Sequence, residues 1–248
     1  MSRWPLLLAL GLAACAAVPP PPPPLPPLAV PEARELLRHW EAAWDRFPGL
    51  RAAVELSFSR GGQTQRTAGV LLLAPAGLRF EALSPFGLPL LIVAANGKTV
   101  TIWRIAEGRA VIAPATAEGV ARWLQLPLAP DDLLRLLTGQ VRPLPEAESI
   151  RTGLDDGVPR VELARGALRQ RVWVGAGRAP ARVEFTGDQH LEAFFERGPE
   201  GGLRAVRLAA PERGMEVHLR YRTVEVGIVP AEVFALRLPA EVTVQRVD

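Results

Sequence analysis

Apolar positions recur along this chain with two different periods, and the change between them marks out its elements. From Pro31, the residues Ala33, Leu36, Leu37, Trp40, Trp44 and Phe47 follow helical spacing, and Pro48-Gly49 supplies a stop. One amphipathic helix is therefore expected to open the folded region. The period then becomes two: Leu50, Ala52, Val54, Leu56 and Phe58 alternate with Arg51, Ala53, Glu55, Ser57 and Ser59, the pattern of a half-buried strand. Gly61-Gly62 marks a turn before the run ending at Val70–Leu73, and Leu78, Phe80 and Ala82 alternate with Arg79 and Glu81. After Ser84-Pro85-Phe86-Gly87 comes the apolar run 88–95, then Asn96-Gly97, a favoured two-residue hairpin turn, and a strand over 98–104. Sequential strands with short turns describe an antiparallel meander.

The middle of the chain departs from that pattern. Val120, Trp123 and Leu124 take helical spacing, and Leu133, Leu134 and Leu137 repeat it behind Pro130, Asp131 and Asp132, which suit a first helical turn. Gly139 suits the residue past the end. Adjacent carboxylates on a helix point apart, so this acidic pair reads as terminus chemistry rather than a catalytic dyad. Strands then resume over 158–164, 168–174, 181–185, 191–195, 203–208 and 215–226. The last has Met215, Val217, Leu219 and Tyr221 opposite Glu216, His218, Arg220 and Arg222. The expected fold is mainly β with α: a large curved antiparallel sheet, with an N-terminal helix and two short helices in the middle of the chain. A sheet of ten or more strands tends to curl, and its apolar face needs a cover. The helices are the available cover.

Ahead of the domain, residues 1–14 carry Arg3, an apolar stretch over 4–12 and two small residues, which is a secretion signal too short to span a bilayer. Leu12-Ala13-Ala14-Cys15 resembles the lipobox of bacterial lipoproteins, which implies diacylglyceryl attachment at Cys15 and cleavage just before it. Acyl anchoring at about 0.8 kcal/mol per buried methylene would hold the mature chain on a membrane. Ala16 follows the cysteine, and by the same resemblance this favours the outer membrane, with the domain facing the periplasm. Residues 15–30 read as a lipidated, proline-rich stalk, because Pro19–Pro24, Pro26 and Pro27 favour an extended conformation. The domain then occupies 31–248.

Leu78–Gly87, a strand followed by a Pro-apolar-Gly loop, resembles the corresponding block of the LolB-like family of outer-membrane lipoproteins. Residues 117–139, with their Leu126-Pro127-Leu128 linker, resemble that family's helical lid. The resemblance implies an open half-barrel, a strongly curved sheet closed by the two short lid helices around an apolar cavity that receives the acyl chains of lipoproteins from a periplasmic LolA-like carrier, in a monomeric protein without a cofactor. It places Phe58, Phe80, Leu90, Ile92, Ile102, Trp123, Leu133 and Leu137 near the cavity, although the same residues would also fill a solid core. It also makes Phe86, with Leu88 beside it, a membrane-insertion loop; the alternative folds Phe86 back onto the sheet edge.

Composition adds mainly exclusions. In 248 residues, 48% are hydrophobic and the formal net charge is +3, so the chain can bury a core and is not wholly disordered. Arginine supplies nearly all the positive charge, interspersed with carboxylates and without a basic stripe, which argues against nucleic acid as partner. The lone cysteine excludes an internal disulfide. His39, His190 and His218 show no metal-ligand spacing, and no nucleophile elbow or phosphate loop stands in a suitable context. The chain therefore reads as a non-enzymatic lipoprotein that handles acyl chains. A structural or assembly lipoprotein that binds a protein partner is the alternative.

Overall fold

The computed structural model describes residues 27–119, 128–187 and 189–247. The signal, Cys15, most of the stalk, and the first lid helix with Trp123 lie outside them. The opening helix, α1 (Val30–Asp45), buries Ala33, Leu36, Leu37, Trp40 and Trp44, the stripe that its periodicity predicts. Its start is closed by the Ala29 amide donating to Glu32 Oε2 at 2.9 Å.

Two meanders follow. The first is β1 (Leu50–Arg60), β2 (Gln63–Ala74), β3 (Gly77–Leu83), β4 (Pro89–Asn96), β5 (Thr99–Arg104) and β6 (Arg109–Pro114). The second runs through β7 (Ser149–Asp155), β8 (Val158–Arg165), β9 (Leu168–Val174), β10 (Pro180–Thr186), β11 (Leu191–Arg197), β12 (Leu203–Ala210) and β13 (Met215–Val226). β1 pairs with β13 over its whole length, so the two meanders fuse into one curved, unclosed sheet. With β14 (Thr243–Arg246) the sheet has 14 strands in the order β14-β6-β5-β4-β3-β2-β1-β13-β12-β11-β10-β9-β8-β7. All pairs are antiparallel except β14 with β6.

This topology explains the cover. β6 and β7 lie near opposite edges of the sheet, yet only residues 115–148 join them. That connection crosses the inner face and carries α2 (Pro130–Leu137), whose Leu133, Leu134, Leu136 and Leu137 are buried. The inner face supplies Leu50, Ala52 and Val54 from β1, Leu71 and Leu73 from β2, and Val161, Val172, Val183 and Leu208 from the second meander. Gly69 makes room within the sheet for the Phe80 side chain of the neighbouring strand, since a Cβ there would stand 2.5 Å from the Phe80 ring and from the Glu81 carbonyl.

The outer face is charged along β8–β12. Arg171 bridges Glu162 at 3.2 Å and Glu184 at 3.1 Å, and the Arg207 guanidinium lies 3.8 Å from the centre of the Phe194 ring. Over β2–β4 it is instead apolar and capped by a 3-10 turn, Ala231–Phe234. Phe234 packs there on Leu72 and Ala74, and Arg79 donates to the Val233 carbonyl at 3.1 Å.

Candidate functional site: an inner crevice and an exposed loop

α2 is held at one end. Its last carbonyl, that of Leu137, accepts the buried Tyr221 hydroxyl of β13, and the Gly139 carbonyl accepts Arg197 Nη2 of β11 at 2.6 Å. Burial pushes the Tyr221 phenol well above its ordinary pKa, so it stays a hydrogen-bond donor at any working pH. Arg135 lies 4.8 Å from the centre of the Trp44 ring, tying α2 to α1, and Trp44 stacks on Phe47 at 5.4 Å.

The other half of α2 covers a gap. A narrow crevice lies between it and β3–β5, lined by Leu78, Val93, Ala95, Val100, Leu133 and Leu134, with Asn96 and Asp131 at its edge. Its free interior is about 50 Å³, room for one or two water-sized groups. Ligand pockets usually span roughly 300–1,000 Å³. This crevice is therefore far smaller than a ligand pocket, and a chain-like guest there needs α2 to shift.

Asp132 bears on that shift. Its carboxyl is held above the ordinary carboxylate range by burial, which outweighs the opposing Arg142; Asp131 adds to the rise and Arg135 opposes it. A raised pKa in the fold means that the protonated form is favoured. Its stabilising contribution is complete below the unfolded pKa and is lost as pH rises through the folded value. Asp132→Asn is therefore expected to raise the thermal midpoint at pH 7, and the gap should close below about pH 4, where the wild-type carboxyl is protonated. Thermal melts at the two pH values check this.

At the far end of β3, the chain forms a loop closed on Ser84. The Ser84 amide donates to the Leu88 carbonyl at 2.8 Å, and Gly87 donates to the Ser84 carbonyl at 2.9 Å. Ser84 Oγ accepts the amides of Phe86 at 3.3 Å and Leu88 at 3.1 Å. Gly87 has φ +78°, which an L side chain rarely adopts. The outcome is a fixed loop with Phe86 90% exposed and Leu88 66% exposed. Phe86 does not fold back onto the sheet.

The other expected lining residues divide between two faces. Phe80, Leu133 and Leu137 are buried in the inner core, and Phe58 packs against it half-buried. Ile102 pairs across the strands with Val93. Leu90 and Ile92 are corrections. Leu83 pairs with Pro89 and Ala82 with Leu91, leaving Leu90 as the extra residue of a β-bulge, 48% exposed beside the loop. Beyond the bulge Leu91 and Val93 face the core, so Ile92 is buried on the outer side, paired with Glu81 and Trp103. Leu78, Val93, Ala95, Val100 and Leu134 line the crevice without having been expected there. A phase correction at the bulge is the signal that finds Val93 and Ala95, and Val100 shares a face with Ile102 two residues on.

The model of the family DUF3261, described as a protein of unknown function, matches residues 52–189. This chain is a DUF3261 protein. No curated protein matches it in sequence. Among solved structures, this DUF3261 chain resembles a LolA superfamily protein from Nitrosomonas europaea, with 11% identity and a TM-score of 0.55 over 82% of this chain and 97% of that one. A DUF1329 family protein from Desulfovibrio piger aligns at 14% identity and TM-score 0.54, over 83% and 96% of the two chains. A putative outer membrane lipoprotein-sorting protein domain from Vibrio parahaemolyticus aligns at 11% and 0.50, over 81% and 95%. At these identities the likeness carries the fold alone, the one that this chain shares with that LolA superfamily protein. No helix among the described residues is long and apolar enough to cross a membrane.

Proposed function

We propose that this DUF3261 protein is a lipid-anchored envelope protein that takes acyl chains of lipoproteins under α2 and helps place them in the outer membrane. In this reading residues 1–14 direct export, Cys15 carries the lipid, 15–30 form the stalk and 31–248 form the working domain facing the periplasm. The observation that carries the reading is α2 itself, pinned at its C-terminal end while its N-terminal half covers an apolar crevice. The fold supports it, and so does the Phe86 loop, which offers an apolar contact to a bilayer.

Transfer would be driven by moving acyl chains between apolar environments, with no bond made or broken by the protein. A LolA-like carrier is the donor that this scheme calls for. The small crevice favours one second reading: a structural or assembly lipoprotein with a filled core that binds a protein partner. Lipopeptide binding separates the two. Signal-free protein with Cys15→Ser should bind a fluorescent diacylated lipopeptide saturably at micromolar concentration. Absence of saturable binding there contradicts the acyl-chain reading and leaves the partner-binding one.

A further inference from the structure

The outer face of the β10–β11 hairpin carries a cluster that neither reading of the inner face uses. Glu184 and Glu192 are direct cross-strand neighbours, and His190 stands just before β11. His190 Nε2 lies 3.1 Å from Glu184 Oε1 and 3.3 Å from Glu192 Oε1, and the three donor atoms fall within 4.8 Å of one another. Two donors each about 2.0–2.1 Å from a tetrahedral ion stand roughly 3.3 Å apart. The two edges from His190 already have about that length, on a hairpin whose pairing sets the two carboxylates side by side. Their side chains are only 12% and 17% exposed.

We propose that Glu184, His190 and Glu192 form a binding site for a zinc-like divalent cation, with a fourth position open to water. Glu184 is pre-oriented, because Arg171 holds its other oxygen, Oε2, at 3.1 Å and also grips Glu162. The ion would sit between His190 Nε2 and the two carboxylate oxygens that it now contacts. Arg182 is the competitor, since its Nη2 holds the same Glu192 oxygen at 3.2 Å. On losing that bond it keeps its stacking over Trp173 at 4.2 Å. Two guanidiniums beside the cluster limit affinity, which places binding in the micromolar range. Spacing along the chain gives His190 no metal role. Only pairing of β10 with β11 assembles the three donors.

The test is calorimetric titration of the tag-free chain with Zn²⁺. One ion per chain is expected, with affinity lowered about tenfold or more in both His190→Gln and Glu192→Gln. Arg182→Met removes the competitor and should tighten binding severalfold. His218→Gln, on β13, should leave it unchanged. No binding below about 100 μM, or binding that survives both ligand substitutions, overturns the proposal and leaves the cluster as an ion-pair network.

Discussion

Phe86→Glu is expected to cut partitioning of the protein into lipid vesicles by about 10- to 100-fold while leaving its folding midpoint unchanged. Burying a phenylalanine side chain contributes about 1.5–3 kcal/mol, and a carboxylate reverses the sign of that contact. Phe86 is 90% exposed, so its removal deletes no packing within the fold. The loop's hydrogen bonds all run through Ser84, Gly87, Leu88 and the Phe86 amide, and none uses the ring. Vesicle flotation of the non-acylated domain reads the effect, with a urea melt as the folding control. Leu88→Glu should act in the same direction and less strongly, since Leu88 is 66% exposed. Equal flotation of wild type and Phe86→Glu would remove the loop from the account.

The largest stability loss is expected on the opposite face, at Phe234. Its ring is 1% exposed, packed on Leu72 and Ala74 and flanked by Val70, Val229 and Val233. Its removal leaves a cavity between the C-terminal turn and the outer face of β2. Phe234→Ala should therefore cost about 3–5 kcal/mol, a large share of a domain stability of roughly 5–15 kcal/mol. Phe234→Leu keeps most of the volume and should cost much less. Urea unfolding should show a lower midpoint at unchanged slope. A loss below about 1 kcal/mol would mean that the C-terminal turn caps the sheet without stabilising it.

How much of this was legible in the sequence differs by element. α1 and α2 were readable because one stripe of each faces the core, and Pro130 and Gly139 punctuate α2. Most strands were readable from their alternation. β6, β7 and β14 were not. β6 is short and alanine-rich, β7 is an edge strand interrupted by Gly153, and all four residues of β14 are exposed. The capping turn at Phe234 carries neither period, so its role emerges only when the chain returns to β2–β4.

The site was partly readable. Ser84-Pro85-Phe86-Gly87 announces a tight loop, but whether its aromatic points outward depends on the Ser84 hydrogen bonds. A single bulged residue, Leu90, moved the lining of β4 by one position, because a one-residue slip exchanges the faces of a strand. The cover over the crevice follows from strand order. Once β1 pairs with β13, the connection to β7 has to cross a face of the sheet, and its apolar residues from Leu128 to Leu144 put its described part on the inner one.

The proposed function places an acyl chain between α2 and β3–β5. Its most direct test is a diacylated lipopeptide carrying a photoreactive group on the acyl tail, bound to the signal-free chain, irradiated and mapped by peptide mass spectrometry. Cross-links are expected at the crevice residues Leu78, Val93, Val100, Leu133 and Leu134, suppressed by excess unlabelled lipopeptide. Labelling confined to the outer face or to the Phe86 loop, or labelling that excess lipopeptide does not suppress, would contradict it.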